Sequence, residues 1–189
     1  MKKPYISTLL CLEWRTDLIP NIFFIADTHF GEDDVFRMAR ENYRFRTCEI
    51  KDRILIENWN RVVRPEDTVY ILGDFGNPKI AKDLNGIKIL IKGNHDTYDE
   101  EEYLTYFRRT YDTKNLYNDF FVLSHEPIFI PDFHSPFANI FGHVHNNPIY
   151  KTVSPRSYCV CACRQNYTPI SYKDILEAIE EEDKKYGTI

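Results

Sequence analysis

The chain has 189 residues, 43% hydrophobic and 15% aromatic, a globular rather than a disordered composition with ample apolar material for a folded core. Its formal net charge of −5 excludes a broad, sequence-independent grip on a nucleic-acid backbone, which needs clustered Lys and Arg. A phosphate-bearing substrate stays open, because a metal ion supplies positive charge locally whatever the side-chain balance.

Residues 1–20 begin with Lys2 and Lys3 and a short apolar run broken by Glu13, Arg15 and Asp17, with no small-residue cleavage site. No stretch reaches the roughly 20 apolar residues that span a bilayer. The five cysteines are odd in number, and Cys159, Cys161 and Cys163 alternate, a poor layout for a disulfide framework. These features predict a cytoplasmic protein with free thiols and no membrane partner. One domain is expected over residues 21–189, behind an N-terminal extension of unknown role.

The run "NIFFIAD" (21–27) predicts a buried strand ending in an acid. Residues 47–63 place Ile50, Ile54, Leu55, Trp59, Val62 and Val63 near helical spacing with charges between them. "TVYILGD" (68–74) predicts a second strand ending in an acid, and "PKIAKDLNG" (78–86) a short helix stopped at Asn85-Gly86. "IKILIKGNHD" (87–96) predicts a third strand with a polar tip, and residues 99–109 a helix. "DFFVLSH" (119–125) and "ANIFGH" (138–143) are further apolar runs ending in histidine, and "SYCVCACRQ" (157–165) alternates like a strand. Ser171 and Asp174 stand in capping-box spacing at the head of an amphipathic helix with a solvated acidic tail. The order of strands and helices predicts a layered α/β domain.

Each apolar strand stops at a residue able to bind a metal: Asp27 and His29, Asp74, Asn94 and His95, His125, then His143 and His145. In layered α/β folds, ligands gather where loops converge beyond the carboxyl ends of strands. Taken singly the pieces are weak, since Gly-Asp is ordinary turn chemistry and two loop imidazoles need hold nothing. Five such blocks at successive strand ends form one constellation.

The blocks "DTH" (27–29), "GD" (73–74), "GNHD" (93–96), His125 and "GHVH" (142–145) resemble those of the calcineurin-like metallophosphoesterases. With "NWNRVV", "DTVYILGDF" and "NYTPISYKDI", the resemblance runs from residue 21 to about residue 180 and is closest to the small bacterial members. It implies a four-layer αββα sandwich of two mixed sheets flanked by helices; the strand count alone also allows three layers. It implies two divalent ions, one held by Asp27, His29 and His145, the other by Asn94, His125 and His143, with Asp74 bridging. Mn²⁺ is the first expectation, and Fe, Zn²⁺, Ni²⁺ and Co²⁺ suit the same mixed donors. It further implies hydrolysis of a small phosphomonoester or phosphodiester by in-line attack of a metal-bridging hydroxide, the ions standing roughly 3.5–4 Å apart. His95 matches the family's catalytic histidine and would protonate the leaving oxygen. A non-catalytic interaction module on the same fold, or a nuclease of the same family, are the alternatives. Nucleic acid is expected only as a substrate, and the oligomeric state is left open.

Departures bear on the substrate. "FGNP" follows Gly73-Asp74, without the Asp-Arg-Gly of the protein Ser/Thr phosphatase branch, and Glu32 stands where many small bacterial relatives carry a histidine. Arg37, Arg40, Arg44 and Arg46 would reach a phosphate or line a solvated helix face; the solvated face is favoured. His134 is expected outside the pocket. Asp96 would orient His95 or cap the next helix, and capping is favoured. The cysteine cluster reads as buried apolar surface rather than a metal site.

Overall fold

A computed structural model describes residues 19–38, 45–130 and 137–186. The first sheet holds β1 (Ile22–Ile25), β2 (Thr68–Leu72), β3 (Ile87–Ile91) and β4 (Arg109–Tyr111), all parallel and in that order. The short strand β10 (Ile170–Ser171) runs antiparallel on the outer side of β1. In the second sheet β6 (Phe121–Ser124), β7 (Ala138–Phe141) and β9 (Ser157–Cys159) are parallel. Antiparallel edge strands β5 (Asn115–Tyr117) and β8 (Val153–Ser154) flank them.

Both faces of β1 are covered, so its sequence is a continuous apolar run rather than an alternation. Phe23 and Ile25 join Val69, Ile71 and Leu90 in a core packed under Leu55 and Trp59 of α2 (Cys48–Val62) and Tyr103 of α3 (Glu100–Tyr106). Phe24 and Ala26 face the other way, into a core shared with Phe121, Leu123, Ile140 and Tyr158 of the second sheet and with Val160 just beyond β9. α4 (Tyr172–Tyr186) adds Ile175 and Ile179 to that second core and lies along β8 and β9. The result is the expected pair of mixed sheets flanked by helices. None of the described helices is long and apolar enough to cross a membrane.

Local chemistry accounts for the helix ends. Thr47 caps α2, its hydroxyl accepting from the Ile50 N–H at 3.3 Å. Ser171 Oγ accepts from the Asp174 N–H at 3.1 Å and donates to the Asp174 carboxylate at 2.7 Å. The expected short helix at 78–86 is a 3₁₀ helix, Pro78–Asp83, with Asn77 Oδ1 accepting from the Lys79 N–H. Residues 99–109 are not one helix. α3 ends at Tyr106 and the chain is drawn into β4 beside β3, because that edge of the parallel sheet needs a backbone partner. Residues 157–165 are not one strand either, since β9 ends at Cys159 and a 3₁₀ turn takes Ala162–Arg164. The acidic tail of α4 is only partly solvated: Glu182 and Asp183 are buried, Glu182 paired with Lys185 at 3.1 Å.

Helical spacing places Lys51 and Asp52 of α2 among the outward charges, yet both are buried. Lys51 Nζ donates to the carbonyls of Thr28 and His29, each at 2.8 Å, and lies 3.1 Å from Asp52. Asp52 accepts from the Gly31 N–H at 2.8 Å. This pair fastens the loop after β1 to the helix. Lys51→Met strands two carbonyls and a buried carboxylate, and should lower the unfolding free energy by about 3 kcal/mol or more in urea denaturation.

Candidate metal centre

The loops that carry the candidate ligands are extensions of the strand pairing. Beyond β1 and β2 the ladder continues as Asp27 N–H to Gly73 O, His29 N–H to Asp74 O and Phe30 N–H to Phe75 O, all between 2.8 and 3.0 Å. Asp27, His29, Asp74, His143 and His145 all hold left-handed backbone, with φ between 44° and 68°. Non-glycine residues adopt that conformation at a cost of about 1–3 kcal/mol each, and keep it only where the surroundings over-determine it. Gly93 has no room for a side chain, because a Cβ would stand 2.8 Å from His125 Cε1 and overlap the Asp74 carboxylate.

The side chains converge as two neighbouring groups. Asp27, His29 and His145 bring one donor atom each within 4.8 Å of one another, and so do Asp74, His125 and His143. Asn94 joins the second group, its Oδ1 3.0 Å from His125 Nε2 and 3.1 Å from His143 Nδ1. Asp74 Oδ2 lies between the groups, 3.7 Å from His29 Nε2 and 3.4 Å from His125 Nε2. His95, though exposed, has its ring 5.2 Å from that of His29, and its N–H is held by Asp74 Oδ1 at 2.9 Å.

This donor set fits divalent ions. His29 Nε2 is buried and has no hydrogen-bond partner, which is costly for an imidazole nitrogen unless a cation takes its lone pair. His125 Nε2, His143 Nδ1 and Asn94 Oδ1 likewise crowd their lone pairs together, an arrangement that a cation relieves.

Three side chains outside the expected set hold these loops. Asp96 neither caps a helix nor orients His95. Its carboxylate accepts from the N–H groups of Asp74 (2.7 Å), Phe75 (3.0 Å) and Gly93 (2.8 Å) and from the Tyr103 hydroxyl (3.4 Å), while Asp99 stands at the head of α3. Three buried N–H groups outcompete one helix end for a carboxylate. Arg164 donates to the His145 carbonyl, to Tyr150 O at 2.8 Å and to Asn147 O at 2.8 Å, tying down the loop after β7. Glu32 turns back to His29, with Oε2 2.5 Å from Nδ1. Sequence spacing gives no sign of these roles, except that Glu32 breaks the expected motif.

Cys159 and Cys161 are buried with Phe141 and Val144, as apolar surface. Arg46 is exposed, in keeping with a solvated face, and Arg37 lies in α1 (Asp33–Met38). His134, Arg40, Arg44 and residues 1–18 lie outside the described residues.

Burial opposes charge on His125, but its bond to Asp74 and the charges of Asp27 and Asp74 outweigh that and raise it to about 9. Burial would raise Asp74, but His125, the His95 N–H and His29 hold it at about 2. In protein stripped of metal, the His125 contribution to stability is therefore complete below the ordinary value of 6.5 and lost as pH rises through about 9. The Asp74 contribution is complete above 3.8 and lost as pH falls through about 2. An ion at His125 displaces its proton, so apparent metal affinity should rise about tenfold per pH unit from neutrality toward 9. Calorimetric titration in buffers of different ionisation enthalpy should show that proton released.

A model of the calcineurin-like phosphoesterase family matches residues 20–160, a span that contains both donor groups. An uncharacterized protein of Methanocaldococcus jannaschii is 32% identical over 173 residues, covering 85% of this chain and 92% of that one. The crystal structure of a protein of unknown function from Aquifex aeolicus is similar with a TM-score of 0.65 at 30% identity, over 84% of this chain and 99% of that chain. With that match spanning most of its length, the chain belongs to the calcineurin-like phosphoesterase family.

Proposed function

We propose that this protein is a binuclear metal-dependent phosphoesterase acting on a small phosphate ester, a diester in preference to a monoester. The observation that carries the reading is the adjacency of two donor groups around one carboxylate oxygen of Asp74. Asp27, His29 and His145 would hold one ion, Asn94, His125 and His143 the other, and Asp74 both. Mn²⁺ is the ion to test first; imidazoles, carboxylates and an amide suit Fe, Zn²⁺, Ni²⁺ and Co²⁺ as well. Bound there, the ions supply Lewis acidity for the phosphate and a water acidic enough to act as nucleophile at neutral pH.

The chain's own residues supply the rest. His95 stands exposed above the first group, its backbone pinned by Asp74, and its imidazolium gives a proton to the leaving ester oxygen. A cavity of about 460 Å³ opens beside Asn94 and His125. Ile91 and Ile128 form its apolar part, while Lys92 and Lys114 are balanced by Asp112 and Glu126. Lys92 is also paired with Glu100 at 2.6 Å and Asp112 at 3.0 Å. A balanced cavity of this size supports a small ester over a nucleic-acid strand, and its room beside the second group supports a second ester substituent. The free, buried thiols of Cys48, Cys159 and Cys161 fit work in a reducing cytoplasm.

The purified protein should hydrolyse bis(4-nitrophenyl) phosphate with added Mn²⁺ and lose that activity to a chelator. His95→Ala should cut the rate by about a hundredfold or more while leaving metal content unchanged; full activity in that variant would remove His95 from the mechanism. Metal analysis of single variants separates the two positions. His145→Ala should lose the ion of the first group and His143→Ala that of the second, each retaining the other.

A further inference from the structure

Glu32 belongs to neither group of ligands, yet its carboxylate makes a short polar contact with one of them: Oε2 lies 2.5 Å from His29 Nδ1. The turn between them builds this contact. The Glu32 N–H returns to the His29 carbonyl at 3.3 Å, the Gly31 N–H is held by Asp52, and the Glu32 carbonyl accepts the Phe36 N–H at 2.9 Å. Lys51 fixes the His29 carbonyl from the other side.

A carboxylate only accepts, so the His29 proton sits on Nδ1. The lone pair is then on Nε2, the buried atom that has no hydrogen-bond partner and lies 3.7 Å from Asp74 Oδ2. His125 receives the corresponding service from a neutral group, the Leu72 carbonyl, 2.9 Å from its Nδ1.

His29, Glu32 and His95 also bring donor atoms within 4.8 Å of one another, which raises the alternative of a separate ion among them. The separation opposes it. Donors about 2.1 Å from a shared ion stand roughly 3 Å apart or more, whereas Glu32 Oε2 and His29 Nδ1 are 2.5 Å apart.

We propose that Glu32 is the positioning residue of the first metal position, fixing the tautomer and ring orientation of His29 and raising its basicity as a ligand through Nε2. The proposal rests on the binuclear reading above. It assigns to Glu32, which touches neither substrate nor ion, an effect on one metal position and not on the other.

The test uses the full chain and Mn²⁺ alone, by calorimetric titration and by metal content after gel filtration, with folding of each variant checked by thermal unfolding. Wild-type protein should bind two ions. Glu32→Ala should weaken one of them by about 10–100-fold, leaving the other within about twofold. Glu32→Gln, whose amide oxygen still accepts from Nδ1–H, should recover much of the loss. A second readout needs no metal: imidazole ¹H–¹⁵N correlation spectra should show His29 as the Nδ1–H tautomer in wild type and a mixture in Glu32→Ala. Wild-type affinity at both positions with an unchanged His29 tautomer in Glu32→Ala would overturn the proposal and leave the binuclear reading standing. Failure of the wild-type protein to bind two ions would overturn both.

Discussion

The two sheets meet through the backbone of one small residue. The Ala26 N–H donates to Val160 O at 2.9 Å and the Ala26 carbonyl accepts from the Ala162 N–H at 2.8 Å, a parallel bridge from the end of β1 to the chain just beyond β9. Everything at the centre follows from that seam. It sets Asp27 against the second sheet, where both carboxylate oxygens accept the His143 N–H at 2.9–3.0 Å. It also brings the His125 ring under the Leu72 carbonyl of the first sheet. Gly142 completes the approach, since a Cβ there would run into Ala26 and stand 2.7 Å from Asp27 Oδ2. Each donor group accordingly mixes residues from both sheets.

Bringing seven donors to one seam strains the backbone and gathers polar atoms, four of the seven residues being buried. Five of the seven donor residues are left-handed, and Asp74 is a buried carboxylate. Such an arrangement persists only if other groups hold it. Lys51 and Asp52 hold the loop after β1, Asp96 clamps the loops after β2 and β3 together, and Arg164 anchors the loop after β7. These four side chains bond directly to the backbone of the loops that carry the candidate ligands, so the candidate centre is held by polar contacts to backbone as well as by apolar packing.

The central strands were legible because they are apolar runs, and the candidate site was legible because residues able to bind a metal recur at the ends of those runs. Short edge strands were not. β4 and β5 have only three residues each and little apolar content, and exist because β3 and β6 offer unpaired backbone. The inward charges of α2 were not legible for a related reason. A helical period separates faces by polarity, but Lys51 and Asp52 face a wall of backbone carbonyls and N–H groups that acts as a polar interior.

By itself the sequence determined which residues are candidate metal ligands, since side chains able to bind a metal recur at successive strand ends and are visible without coordinates. It also determined the layered α/β class, through the length and spacing of apolar runs. Only the tertiary structure decided how the donors divide into two groups around Asp74 and what Asp96 and Arg164 hold. Those facts depend on distances between segments up to 116 residues apart, as between Asp27 and His143, and no local pattern encodes such a distance. It arises when two sheets, each built by its own hydrophobic periodicity, are joined at Ala26.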